Sequence, residues 1–124
     1  MKLKLNLKVT GIESTPALAE FVSAKINQLE RFLSREDEVL VEVEIGKVTA
    51  HHKSGEIYSA EINLSANGKR FRVVETQDDL YAAIDVAKDE ILNQIRNAHD
   101  KSHSRLVRGG RKIKDFLRGF KGWR

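Results

Sequence analysis

Tyr58-Ser59-Ala60-Glu61-Ile62-Asn63-Leu64-Ser65-Ala66-Asn67-Gly68-Lys69-Arg70-Phe71-Arg72-Val73-Val74-Glu75-Thr76 decides the fold. Tyr58, Ala60, Ile62, Leu64 and Ala66 alternate with Ser59, Glu61, Asn63 and Ser65. Side chains in a strand alternate between faces, so this period of two describes a strand with one buried face. Asn67-Gly68 follows at once. Both central residues of a type I′ turn need positive φ, and asparagine and glycine tolerate it best. The chain then resumes alternation, with Phe71 and Val73 opposite Arg70, Arg72 and Val74. The stretch is a β-hairpin.

Working outward, the upstream neighbour is another strand. Val39, Val41, Val43 and Ile45 alternate with Leu40, Glu42 and Glu44, and the polar loop His51-His52-Lys53-Ser54-Gly55 joins it to the hairpin. Before it, Ser34-Arg35-Glu36-Asp37 interrupts a helical pattern. Leu18, Phe21, Val22, Ile26, Leu29, Phe32 and Leu33 recur at three- and four-residue spacing, which predicts a helix over about 16–33. Thr15-Pro16 opens it as an N-cap followed by proline at the first helical position. The chain begins with a strand, Leu3, Leu5, Leu7 and Val9 against Lys2, Lys4, Asn6 and Lys8. Downstream, Asp78-Asp79 begins a long helix, acids at the positive end of its dipole. Its stripe is Leu80, Ile84, Ala87, Ile91, Ile95 and Ala98. It is expected to fray near Lys101 to Arg105, with Gly109-Gly110 as a flexible joint. The order β-α-β-β-β-α implies a right-handed crossover between parallel strands, then hairpins. The expected class is α+β: a four-stranded mixed sheet with two helices packed on one face.

Composition narrows the function. The chain has 124 residues, 40 % hydrophobic and 32 % charged, enough for one core. No apolar run is long enough to span a membrane, and the start, Met1-Lys2-Leu3-Lys4, lacks a secretory pattern. A soluble cytoplasmic protein is expected. Without cysteine there is no disulfide framework, thiolate metal site or cysteine nucleophile. His99 and His103 have zinc-compatible spacing, but no third ligand accompanies them, so surface histidines are expected. No phosphate-cradling glycine motif, nucleophile elbow or convergent titratable set is present, so neither an enzyme nor a cofactor is expected.

The net charge of +4 hides an asymmetry. Residues 101–124 hold nine basic side chains against one acid, Asp115, a net +8, so residues 1–100 carry −4. Such a split points to a polyanionic partner. In the tail, Ile113, Phe116, Leu117 and Phe120 fall at helical spacing with Trp123 beyond, among Arg111, Lys112, Lys114, Arg118 and Lys121. That pattern suits RNA or a protein groove, and also an anionic membrane surface. On the second helix Lys88, Arg96 and Lys101 mix with Asp85, Asp89 and Glu90, which reads as a solvated face. Lys4, Lys8, Arg70 and Arg72 share the polar sheet face with Glu42, Glu44 and Glu61, where cross-strand ion pairing is expected. Tyr58 and Phe71 fall in the core register, so that face lacks the stacking aromatics of an RNA-reading sheet.

Two features in this order carry a resemblance. One is Thr15-Pro16-Ala17-Leu18 with a helix ending Leu29-Glu30-Arg31-Phe32. The other is Asn67-Gly68 and, one strand later, Asp79-Leu80-Tyr81-Ala82-Ala83-Ile84-Asp85. The chain resembles the ribosome hibernation-promoting factor and ribosome-associated inhibitor (protein Y) family over residues 1 to about 101. Asp79, Tyr81, Ala83, Ile84 and Asp85 match that family's helix signature. The resemblance implies binding to the small ribosomal subunit and its rRNA, in the mRNA and tRNA channel near the decoding centre. It implies a block of translation that preserves idle ribosomes in stress and stationary phase, with no small-molecule substrate. Residues 102–124 are expected to be a flexible basic extension of a short-type member. Where the family commonly shows Lys-Leu-x-Arg-Gln-Leu-x-Lys, this chain has Glu90-Ile91-Leu92-Asn93-Gln94-Ile95-Arg96-Asn97, so three basic positions are lost. The remaining candidates for RNA contact are Lys25, Arg31, Lys88, Arg96, Lys101, Arg105, Arg108, Arg111, Lys112, Lys114 and Arg118. The alternatives are an RNA-binding module of the double-stranded type, or a membrane or protein-partner module acting through the tail.

Overall fold

The computed structural model describes residues 2–33, 38–48 and 55–110, with side chains from 3 to 98 within those ranges. Residues 34–37, 49–54 (with His51 and His52) and 111–124 lie outside them. The elements are β1 (Lys2–Thr10), α1 (Pro16–Asn27), a 3-10 turn (Glu30–Phe32), β2 (Glu38–Val48), β3 (Ile57–Ala66), β4 (Lys69–Gln77) and α2 (Leu80–Gly110).

The hairpin forms as its sequence dictates. Asn67 and Gly68 have φ of 52° and 75°, the two positive values of a type I′ turn. This turn sets Ala66 opposite Lys69, which aligns Ile62 with Val73 and Tyr58 with Gln77. β2 lies antiparallel to β3, and β1 parallel to β2, in the order β1-β2-β3-β4. Parallel neighbours cannot be joined by a tight turn, so α1 crosses over between them. Register then sorts the side chains. Leu5, Val41, Leu64 and Phe71 line up across one face, while Asn6, Glu42, Asn63 and Arg72 line up across the other.

Both helices bury their stripes on the first of these faces. Leu18, Val22 and Ile26 of α1, then Leu29, meet Ile84, Ala87, Ile91 and Ile95 of α2 over Val41, Ile45, Ile62 and Leu64. Each such fully buried aliphatic side chain stabilises the fold by about 1.5–3 kcal/mol over an exposed one. Leu3, Leu5, Leu7 and Val9 are only half-buried, because β1 is an edge strand with a neighbour on one side. Gly46 is buried between β1 and β3; a Cβ there would lie 2.1 Å from the Thr10 carbonyl oxygen.

Three expectations are corrected. α1 ends at Asn27 rather than near residue 33. The chain tightens into i→i+3 bonds, Leu29 N to Ile26 O at 2.9 Å and Phe32 N to Leu29 O at 3.0 Å. This tighter winding keeps Leu29 buried while the chain turns toward β2. α2 does not fray at 101–105 but continues to Gly110. Residues 101–108 contain neither glycine nor proline, and extending an existing helix is far easier than nucleating one. Lys88 does not sit on a solvated face; it is buried on α2.

Candidate nucleic-acid interface

The helix side carries four of the sequence-predicted cations, Lys25, Arg31, Lys88 and Arg96, and local chemistry places each one. Thr15 caps α1, its hydroxyl accepting from Leu18 N at 3.2 Å, with Pro16 at the first helical position. Asp79 caps α2 in the same way, accepting from Ala82 N at 2.9 Å. With both starts set, the helices pack through the signature residues. Ala83 and Ile84 are buried in the core. Tyr81 meets Phe21 edge-to-face, ring centroids 4.7 Å apart at 85°. Asp85 pairs with Lys25 at 2.8 Å. The signature thus serves capping, packing and the α1–α2 junction.

This arrangement divides the sequence-predicted cations into two kinds. Lys25 is neutralised by Asp85 and also lies 5.3 Å from the Phe21 ring centroid. Lys88 is neutralised by Asp89, at 2.7 Å. Arg31 and Arg96 are different. Each guanidinium carbon stands 5.4 Å from the centroid of the same ring, Phe32. Among the described residues no carboxylate lies within ion-pairing distance of either. Both are exposed. Glu90, Asn93 and Asn97, at the positions where the resemblance implies bases, are exposed on α2 as well. Lys101, Arg105 and Arg108 lie on the last turns of α2, beyond the described side chains. Arg111, Lys112, Lys114 and Arg118 lie outside the described residues, as do the side chains of His99 and His103.

In the sequence Phe32 belongs to an apolar stripe, and nothing local marks it as an anchor for cations. Its neighbour in sequence, Arg31, offered half a signal. The other half, Arg96, is distant in the chain and meets the ring only in the folded molecule.

The opposite face of the sheet is electrostatically mixed. Lys4 and Lys8 on β1 and Arg70 and Arg72 on β4 flank Glu42, Glu44 and Glu61 in the middle. The expected cross-strand pairing is present at Arg72–Glu61, 3.2 Å apart. Hydrogen bonds from Asn63 and Arg72 hold the Glu61 carboxyl below the usual carboxylate range. At the far end of the β2–β3 pair, Glu56 bonds both Lys47 and Tyr58, and its carboxyl too is held low, chiefly by the Lys47 bond. Tyr58 and Phe71 lie in the helix-side register, as expected. Among the described residues the open face offers RNA no aromatic platform, and its central carboxylates repel phosphate. The helix side differs in one respect: two exposed arginines, Arg31 and Arg96, share one ring there and have no carboxylate partner among the described residues.

Comparison with known proteins agrees with this architecture. Residues 5–103 match the family described as Sigma 54 modulation protein / S30EA ribosomal protein. The ribosome hibernation promoting factor of Klebsiella oxytoca is 33 % identical over 99 residues, covering 80 % of this chain and 96 % of that protein. The factor of the same name from Escherichia coli K12 is 32 % identical with the same coverage. The crystal structure of the Thermus thermophilus Protein Y N-terminal domain superposes with a TM-score of 0.65 at 30 % identity. That match covers 78 % of this chain and 98 % of the domain. Because nearly the whole β-α-β-β-β-α unit falls within the matched residues, this chain belongs to the Sigma 54 modulation protein / S30EA ribosomal protein family, which holds the ribosome hibernation promoting factors.

Proposed function

We propose that this protein is a ribosome hibernation factor. It binds the small subunit through its helix side, in the channel of mRNA and tRNA near the decoding centre, blocks translation and preserves idle cytoplasmic ribosomes. Its action is steric and electrostatic, with neither catalysis nor a cofactor. Residues 1–101 form the ribosome-binding unit, and the basic stretch 102–124 adds charge. The observation that supports this most is the family match across nearly the whole folded body, residues 5–103. The helix side supports it physically, since Arg31 and Arg96 are exposed there on one aromatic ring, with no carboxylate partner among the described residues.

The double-stranded-RNA reading is weaker on geometry. Such a module sets the N-terminus of its last helix against phosphate. Here the Asp79 carboxylate already occupies an amide of that terminus, and Asp78 stands beside it.

Sedimentation with purified ribosomes, paired with a cell-free translation assay, tests the proposal. Co-sedimentation at low salt with falling translation is expected. Failure to co-sediment at low salt overturns it, and binding to protein-free anionic vesicles instead would favour a membrane role.

A further inference from the structure

Glu90, Asn93 and Asn97 leave the exposed side of α2 poor in positive charge, yet Arg96 lies in the same stretch and meets a second arginine across the fold. We propose that Arg31 and Arg96, held on the Phe32 ring, form a two-arginine cradle for rRNA phosphates, with Phe32 as its positioning residue. This rests on the ribosome-binding reading above.

Charge availability is the first argument. A phosphate approaching Lys25 or Lys88 must displace the carboxylate of Asp85 or Asp89, which stand 2.8 and 2.7 Å away. The Arg31 and Arg96 guanidiniums have no such competitor among the described residues. Preorganisation is the second. A free arginine side chain loses much rotamer freedom when it grips a ligand. Here both guanidiniums already rest 5.4 Å from one ring centroid, an attraction between cation and π-face that still leaves their N–H donors to reach outward. Two arginines anchored on one ring suit neighbouring phosphates of a strand, each of which a guanidinium can grip through paired N–H donors. The third is placement. Arg31 follows α1 and Arg96 lies on α2, so the cradle bridges the junction of the helices and samples two elements of the binding side at once.

The test uses the full chain and purified ribosomes, sedimented over a potassium chloride series, with Arg31→Gln, Arg96→Gln, the double variant, Phe32→Leu and Phe32→Tyr. Each arginine variant should bind about tenfold more weakly. Each should also lower the slope of log affinity against log salt by about 0.7–0.9, the share of one released counterion. Phe32→Leu should weaken binding while both charges remain, and Phe32→Tyr, which keeps the π-face, should restore it. A merely structural role for the ring would lower the unfolding midpoint in step with binding, whereas a positioning role weakens binding by a variant that stays folded. If wild type sediments and the double variant binds with equal affinity and slope, the cradle is wrong and the hibernation reading stands. Arginine variants that lose affinity without losing slope would point to protein carboxylates, which also overturns a phosphate cradle. If wild type does not sediment at low salt, the hibernation reading fails and the cradle falls with it. Should Phe32→Leu not fold, the arginine pair and the tyrosine variant decide.

Discussion

Gly46 shows how one residue constrains the sheet. It stands in β2 between Thr10 and Ser59, and an added methyl would lie 2.1 Å from the Thr10 carbonyl oxygen. Replacing glycine by alanine in a strand normally gains a little stability by restricting the unfolded chain, roughly 0.4–1 kcal/mol. Here the obstacle is backbone of the paired strand, which cannot swing aside as a side chain would, and such overpacking costs about 1–3 kcal/mol. The clash wins. Gly46→Ala should lower the midpoint of urea unfolding, with the slope of that transition unchanged. Lys25 and Lys88 show the same principle in charge. Each reads as a free cation in sequence, and each is engaged by an aspartate in the fold.

Among the elements, α2 depends most on how it begins. Its first turn has no preceding helix to satisfy its N–H groups, and the Asp79 carboxylate accepts from Ala82 N at 2.9 Å while the Asp79 carbonyl accepts from Ala83 N at 3.0 Å. This end of α2 lies beside Tyr81 and Asp85, so the cap also sets the angle at which α2 meets α1. Asp79→Ala should cost about 0.5–2 kcal/mol by thermal or denaturant unfolding. Asp78→Ala, which loses only the favourable placement of an acid near the helix dipole, should cost about 0.3–1 kcal/mol. Equal losses would show that charge, not the hydrogen bond, sets this helix start.

At the scale of the whole molecule the question is where its charge acts. The body, residues 1–100, carries a net −4 and has carboxylates in the middle of its open sheet face, while residues 101–124 carry +8. Packing of α2 against the sheet reaches Ile95, with Ala98 half-buried beyond it. Truncation after Lys101 therefore leaves the described core intact and removes most of the tail charge. If the tail engages about five phosphates, the log–log salt slope of ribosome binding should shrink by roughly 3.5–4.5. An unchanged affinity and slope would place all the electrostatic binding in the body. Such a result would also leave Arg31 and Arg96 as its main exposed source on the helix side.

What could be read from the chain alone was whatever depends on neighbours in sequence. Alternation in 58–76 with Asn67-Gly68 between its halves determined the hairpin, its register and which side of each strand is buried. Thr15-Pro16 and Asp79 marked the helix starts, and the spacing Leu80, Ile84, Ala87, Ile91, Ile95 marked the buried stripe. The end of α1 was not legible, because no glycine or proline stops it and only the need to bury Leu29 and reach β2 does. The state of each cation was equally hidden. Lys25 and Arg31 look alike in sequence, but one meets Asp85 and the other shares Phe32 with Arg96, contacts made between α2 and the segment of α1 and its 3-10 turn. Local pattern determines backbone conformation and burial because both follow from period and propensity. Only tertiary packing decided which charges are spent within the protein and which remain for a partner, because that depends on residues brought together across the fold.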